Sequence, residues 1–248
     1  MVQRVRERVK KFWASLALLS IEMLVVLTVF VVSLIVFVLV TRRIFHLRNE
    51  SLDFQVFDAL KPFVNETTNK FMVAITFLGK HEFLIPANLI LIAYFLFIKK
   101  HRWYSIKVPA IAISSLALMF VLKNLFGRPR PLIPLLEEAR GLSFPSGHAL
   151  MSVTFYGLII YIIWHSIKHQ GLKWTLIVFL IILILLIGFS RIYLRVHYPT
   201  DVMAGFATGF LWLVISIAII NRLEKYSKRN VEPALKEPPA TDTEITGA

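Results

Sequence analysis

The sequence predicts an all-α membrane protein, a bundle of six transmembrane helices with amphipathic helices in its first exoplasmic loop. Three observations carry this reading. Of the 248 residues, 57% are apolar, including 20 Phe, and the mean hydropathy is +0.69. A soluble domain holds only about 45–50% apolar residues. Six apolar segments reach or approach the ~20 residues that a bilayer span requires. The basic residues gather between those segments rather than on one stretch of chain.

The first segment, 16–40, follows a basic N-terminus at 1–15. Its 25 residues exceed the apolar run of a cleavable signal, and no small-x-small exit precedes Thr41-Arg42-Arg43. It reads as a retained helix. Residues 41–82 form the long first loop. Within it Val56, Leu60, Phe63 and Val64, then Phe71, Ile75 and Leu78, recur at helical spacing. One or two amphipathic helices are expected there, against the bundle or in the interface, with Pro62 separating or kinking them. The apolar stretch 71–79 is too short to span. It reads as a re-entrant or interfacial piece, or as an extension of the second span. Asn65-Glu66-Thr67 matches a glycosylation acceptor, a pattern that chance also produces.

The remaining spans are 83–98, 108–122, 149–164, 174–189 and 202–220, with flanking residues completing the shorter ones. The membrane-embedded unit is 16–222. Residues 223–248 read as a disordered tail, Pro-, Glu-, Lys- and Thr-rich from Asn230 onward. No internal repeat is visible.

An even number of spans puts both termini on one side. That side carries the larger share of the 28 Lys and Arg, so it is expected to be cytoplasmic. The expected home is a bacterial inner or plasma membrane. The net charge of +13 could suggest nucleic acid. Its placement between apolar runs instead fits the positive-inside bias and contact with anionic headgroups, so no nucleic-acid partner is expected. With no cysteine, disulfides and thiolate metal sites are excluded. Nothing in the sequence indicates an oligomeric state.

Three short stretches carry the chemistry. They are Lys123 with Arg130-Pro131, then Pro145-Ser146-Gly147-His148, then Ser190-Arg191 with His197 and Asp201. Each lies at the end of an apolar segment, on the face predicted to be exoplasmic. Phosphoryl transfer needs neutralisation of the equatorial oxygens, an in-line nucleophile and an acid for the leaving oxygen. Lys123, Arg130 and Arg191 suit the first task, arginine because its planar fork matches phosphate oxygens. Arg128 and Arg195 fall outside the motif positions and are read as surface or headgroup contacts. Ser146 and Gly147 open a helix whose N-terminus favours an anion, with Ser146 donating its hydroxyl and Gly147 allowing close approach.

His148 and His197 are the sharpest pair. Asp201 follows His197 by one helical turn, and a carboxylate on one ring nitrogen makes the other more basic. His197 is therefore the better nucleophile. His148, at a positive helix start, is the better acid. His46, His81, His101, His165 and His169 lack such context. One carboxylate among three cations attracts an anion rather than a divalent metal, so neither a metal nor another cofactor is expected. Glu22, inside the first span, reads as a snorkelling or paired acid, and an intramembrane acid is also a functional candidate. Glu137 and Glu138 could select a headgroup or simply be solvated.

This set resembles the signature of the type 2 phosphatidic acid phosphatases, integral-membrane lipid phosphate phosphatases related to the vanadium haloperoxidases. The resemblance covers roughly residues 53–209, with no departure at any motif position. It implies a phosphohistidine at His197, with His148 as the acid. It also implies a membrane lipid carrying a phosphate monoester or diphosphate as substrate. Phosphatidic acid, phosphatidylglycerol phosphate, undecaprenyl diphosphate and lipid A phosphates all fit a tail that stays in the bilayer, and the sequence does not rank them. A lipid phosphotransferase and a sugar-phosphate phosphatase are alternatives. An anion transporter could use the same cations, but it needs no His197–Asp201 pair and usually shows repeats.

Overall fold

The computed structural model describes residues 21–132, 134–136 and 140–231. The basic segment 1–15, the start of the first span, Glu137, Glu138 and the tail beyond Val231 lie outside the described residues. Those described form eight α-helices and no strand. They are α1 (Ile21–Thr41), α2 (Ser51–Leu60), α3 (Glu66–Phe77), α4 (His81–Ala93), α5 (Arg102–Phe126), α6 (Gly147–Ser166), α7 (Gln170–Tyr193) and α8 (Pro199–Tyr226). π-helical turns extend α1, α4 and α8 through His46, Ile98 and Val231. With these, α1 and α4 through α8 are each long and apolar enough to cross a membrane. They coincide with the six predicted segments. Most of their large apolar side chains face outward, as on α1 and α7, a surface that suits lipid. Glu22 is exposed on α1.

Two boundaries differ from the sequence reading. α8 runs past Ile220, so the first residues assigned to a disordered tail are helical. Glu224 explains the extension: it accepts from Lys107 of α5 at 2.9 Å and from Lys228, one turn on, at 2.7 Å. Residues 71–77 are neither re-entrant nor part of the second span. They are the second half of α3, capped at its start by Asn65, whose side chain accepts from the Thr68 N–H at 2.9 Å. The sequon asparagine is thus a helix cap.

The loop helices bury only part of the apolar stripe that their spacing predicts, with Val64, Ile75 and Leu78 packed against the core. Phe63 and Phe71 of the apolar stripe are exposed, and Val56, Leu60 and Ile75 are half-buried. The fully buried positions are Asp53 and Phe57 on α2 and Met72 and Thr76 on α3. Polar Asp53 and Thr76 are inside because they bond to arginines of the site described below. Pro62 lies in the short 3₁₀ turn Lys61–Phe63 that separates α2 from the cap of α3.

The core is built on α6 and α8, which pack against each other, with α7 and α5 against α6 and α1 against α8. Gly205 and Gly209 let α6 and α8 meet closely. A Cβ at Gly205 would lie 2.6 Å from the Ser146 carbonyl oxygen, and one at Gly209 would lie 2.8 Å from that of Leu150. Small residues at such spacing are how membrane helices bring backbones together. At the same end of the bundle Phe144 is fully buried among Phe37, Phe45 and Phe126. Burying a side chain of this size stabilises by roughly 1.5–3 kcal/mol, which anchors the loop between α5 and α6.

Candidate active site

Successive membrane helices run in opposite directions, so the C-termini of α5 and α7 and the N-termini of α6 and α8 share one end. The three motifs sit there, joined by the loops that leave those ends. Hydrogen bonds tie them together directly.

His197 lies in the turn between α7 and α8, not on α8 itself, which starts at Pro199. α7 ends through Arg195 in the left-handed region at φ 54°. Such a residue costs about 1–2 kcal/mol, and it lies in the turn that leads to His197. His197 is 1% exposed. Arg130 Nη1 donates to the Val196 carbonyl at 2.7 Å and stands 3.1 Å from His197 Nε2. A guanidinium has no acceptor, so Nε2 is the acceptor in that contact. The imidazole proton then sits on Nδ1.

Nδ1 faces the Asp201 carboxylate at a distance too long for a direct hydrogen bond. The Nδ1–Oδ2 separation is 3.6 Å. Ser143 stands between them: its hydroxyl donates to Asp201 Oδ2 in a very short bond and lies 3.4 Å from Nδ1. The reason is local. Asp201 is the third residue of α8, and its Oδ2 also accepts from the Tyr198 N–H at 2.9 Å, capping the helix. The carboxylate is held by its own helix start, and Ser143 spans the remaining gap.

The other Asp201 oxygen belongs to Arg128. Arg128 is 4% exposed, so its reading as a surface or headgroup residue is overturned. It donates to Asp201 Oδ1 at 2.7 Å, Thr200 Oγ1 at 2.9 Å, and Asp53 Oδ2 and Glu50 Oε1 at 2.8 Å each. Its guanidinium lies 3.9 Å from the centre of the Tyr198 ring. Asp53 also accepts from the Thr200 N–H at 3.0 Å and from its hydroxyl at 2.8 Å. Burial alone works against the Arg128 charge, but Asp201, Asp53 and Glu50 outweigh it and raise its pKa. Sequence reasoning missed Ser143, Glu50, Asp53 and Thr200. The available signal was the doubled Arg-Pro at 128–131, together with an acid, Asp53, between Leu52 and Phe54.

Of the three motif cations Arg130 contacts His197 directly, and the charges of Arg191 and Lys123 also act on its ring. Lys123, in the last turn of α5, donates to the Leu142 carbonyl at 2.5 Å. Arg191 is nearly buried and donates to Thr76 Oγ1 at 2.8 Å, while its Nε is buried without a partner. Arg130 Nε donates to the Gly141 carbonyl at 3.1 Å. Burial, then Arg130, Arg191 and Lys123, hold the His197 imidazole well below the usual histidine range. Burial also lowers Arg130. Arg195 itself is half-buried.

Ser146 precedes α6 with its backbone N–H donated to the Asp201 carbonyl at 2.9 Å. Its hydroxyl is buried, makes no cap bond and has no partner. His148 Nε2 is buried and unpartnered as well. Gly147 does not face an open approach. A Cβ there would lie 2.6 Å from Met119 Sδ of α5, so its smallness admits Met119. Among the described residues no three His, Cys, Asp or Glu side chains converge as a metal site. The acids nearest the site are bonded to Arg128 and Ser143. The arrangement offers a neutral imidazole nitrogen that accepts from Arg130, together with two buried and unpartnered polar groups, Ser146 Oγ and His148 Nε2, at the start of α6.

The PAP2 superfamily model matches residues 104–225. Phosphatidylglycerophosphatase B of Bacillus subtilis is 32% identical over 174 residues, covering 68% of this chain and 81% of that protein. The chain belongs to the PAP2 superfamily. It is a membrane-embedded phosphatase of that family. The undecaprenyl-diphosphatase BcrC of B. subtilis is 29% identical over 204 residues, covering 70% of this chain and 96% of its own. The crystal structure of the transmembrane PAP2-type phosphatidylglycerolphosphate phosphatase from B. subtilis superposes with a TM-score of 0.70 at 27% identity. It covers 79% of this chain and 98% of that one.

Proposed function

We propose that this PAP2 phosphatase dephosphorylates a membrane lipid through a phosphohistidine at His197, without a metal, using the side chains of Lys123, Arg130, Ser146 and Arg191 and the backbone N–H of Gly147 at the start of α6 to hold the phosphate, and His148 as the acid. The observation that carries the reading is the orientation of His197. Its Nε2 is turned to the cations as an acceptor, while Nδ1 faces Ser143 and Asp201. Nε2 attacks phosphorus, the bond from phosphorus to the leaving oxygen breaks, and His148 gives that oxygen a proton. Water, giving a proton back to His148, then attacks the phosphohistidine; the bond from phosphorus to Nε2 breaks, phosphate leaves and Nε2 is restored. Ser143 and Asp201 stabilise the positive charge that the ring acquires. The cations neutralise the equatorial oxygens in place of a metal.

The substrate keeps its tail in the bilayer and presents a phosphate monoester or diphosphate at headgroup depth. The names of the relatives favour a glycerophospholipid phosphate or an isoprenyl diphosphate. The Lys and Arg distribution supports cytoplasmic termini and an exoplasmic site.

The test is phosphate release from purified lipid phosphates in detergent with EDTA present. Release that survives EDTA and stops with vanadate, which mimics the five-coordinate transition state, is expected. Loss in EDTA restored by Mg²⁺ rules out the metal-free reading. Binding of phosphate with no release from any lipid favours transport over catalysis.

A further inference from the structure

α3 holds the last turn of α7 at two points, and one of them is a cation of the site. Arg191 Nη1 donates to Thr76 Oγ1 at 2.8 Å. Two residues on, the Tyr193 hydroxyl donates to Asn69 Oδ1 at 2.7 Å and stands 3.2 Å from the Phe63 carbonyl. Thr76 is buried and lies outside the 104–225 stretch that the family model matches. Helical threonines commonly bond back to their own helix, as Thr154, Thr175 and Thr208 do. Thr76 instead turns its oxygen to Arg191. The backbone that carries it is fixed by a closed seam at the end of α3. The Gly79 N–H donates to the Thr76 carbonyl at 3.0 Å and Tyr156 of α6 to the Leu78 carbonyl at 2.8 Å. A Cβ at Gly79 would lie 2.5 Å from Ile187 Cγ2 of α7. Thr76 therefore cannot follow Arg191; Arg191 is held to Thr76. The point of attachment matters. Nη1 is the terminal nitrogen on the Cδ side of a guanidinium, so the opposite edge of the fork, Nε with Nη2, is left for a ligand. Nε is buried with no partner. That edge can bind two phosphate oxygens side by side.

We infer that Thr76 is a positioning residue for phosphoryl transfer: it takes Arg191 by Nη1 so that the Nε–Nη2 edge meets two equatorial oxygens of the phosphoryl group. The inference rests on the phosphatase reading and deepens it. Thr76 touches no reacting atom and acts only through Arg191. Without its hydroxyl the arginine keeps its charge, so attraction for the ground-state phosphate largely survives. What is lost is the alignment of two donors with oxygens that gain charge in the transition state, where geometry decides the stabilisation. The loss therefore falls on kcat more than on KM.

The test compares the wild type with Thr76→Val, Thr76→Ala, Thr76→Ser and Asn69→Ala on the purified lipid phosphate that the wild type hydrolyses fastest. Vanadate inhibition reports on the transition state, inhibition by inorganic phosphate reports on the ground state, and thermal melting in detergent reports folding. Thr76→Val and Thr76→Ala are expected to lower kcat by about tenfold or more with KM changed less than about threefold. The vanadate inhibition constant is expected to rise in step with the loss of kcat/KM, while that of phosphate moves little. Thr76→Ser, which keeps the hydroxyl, is expected to restore both. Asn69→Ala loosens the other hold on α7 and is expected to lower the melting temperature without moving the vanadate constant. An inhibition constant does not depend on how much protein folds, so a purely structural role for Thr76 leaves it unchanged. If one Thr76 variant does not fold, the other decides. An unchanged vanadate constant in a folded Thr76→Val or Thr76→Ala variant, or an equal rise in Asn69→Ala, overturns the inference while the phosphatase reading stands. If the wild type releases phosphate from no lipid, the phosphatase reading falls and this inference with it.

Discussion

His197 and His148 differ in what their ring nitrogens meet, and that difference divides their tasks. Nε2 of His197 is an oriented acceptor, whereas Nε2 of His148 is buried with no partner until a substrate arrives. His197→Ala should therefore abolish turnover of every substrate. His148→Ala should cost far more kcat/KM on a lipid monoester, whose alkoxide needs a proton, than on p-nitrophenyl phosphate, whose leaving group does not. Equal proportional losses in the two variants would sink the division into nucleophile and acid. The pH behaviour follows from the depressed pKa of His197. A free histidine is half-protonated at about pH 6.5, but folded His197 stays neutral there and loses its nucleophilic lone pair only at lower pH. The unfolded chain takes up this proton first, so stability falls as pH drops below that value. Nitrogen-15 NMR of labelled histidine should show the Nδ1–H tautomer of His197 intact at pH 6.5, and substantial protonation there would contradict the site's electrostatics. The motif residues were legible because their spacing sets them at helix ends that must converge. Ser143 was not, since a serine two residues before Pro145 announces nothing until Asp201 is seen turned toward its own helix cap.

At the scale of elements, Arg128 joins four of them: α2 through Glu50 and Asp53, the loop after α5, the turn before α8 through Tyr198, and the start of α8 through Thr200 and Asp201. Removing one partner of a buried ion pair typically costs about 3–5 kcal/mol, because it strands the other charge. Arg128→Ala should lower the melting temperature and the activity together. Arg128→Lys should recover little of either, since a single ammonium cannot reach Asp201 Oδ1 and Asp53 Oδ2 as a fork does. Melting curves in detergent with parallel kcat measurements check both, and a lysine variant close to wild type would show that only the charge matters. This network was invisible to periodicity. Helical spacing selects apolar residues for the inner face of α2 and α3, but here Asp53 and Thr76 take that face because buried arginines pay for them. The six long helices were legible for the opposite reason: the bilayer demands length and apolarity from each, whatever its neighbours.

For the whole molecule, what remains is which way the bundle faces. Lys123, Arg130, Arg191 and His197 are all at one end, and the loop between α5 and α6 covers that end. The Lys and Arg residues outside the motifs favour the opposite end, which orients a bundle with the richer side in the cytoplasm. A cysteine placed in the covering loop reports the outcome directly, because the chain has none of its own. Leu142 is a poor position, as it is half-buried and its carbonyl holds Lys123. Leu132, in the same loop, is 95% exposed, so Leu132→Cys should leave the site undisturbed. In intact cells, or in spheroplasts if an outer envelope blocks access, this cysteine should react with a membrane-impermeant maleimide before permeabilisation. Labelling that appears only after permeabilisation would invert the bundle. The lipid substrate would then have to be met in the cytoplasmic leaflet, whereas external labelling puts phosphate release outside the cell membrane, on lipids already carried to the outer leaflet.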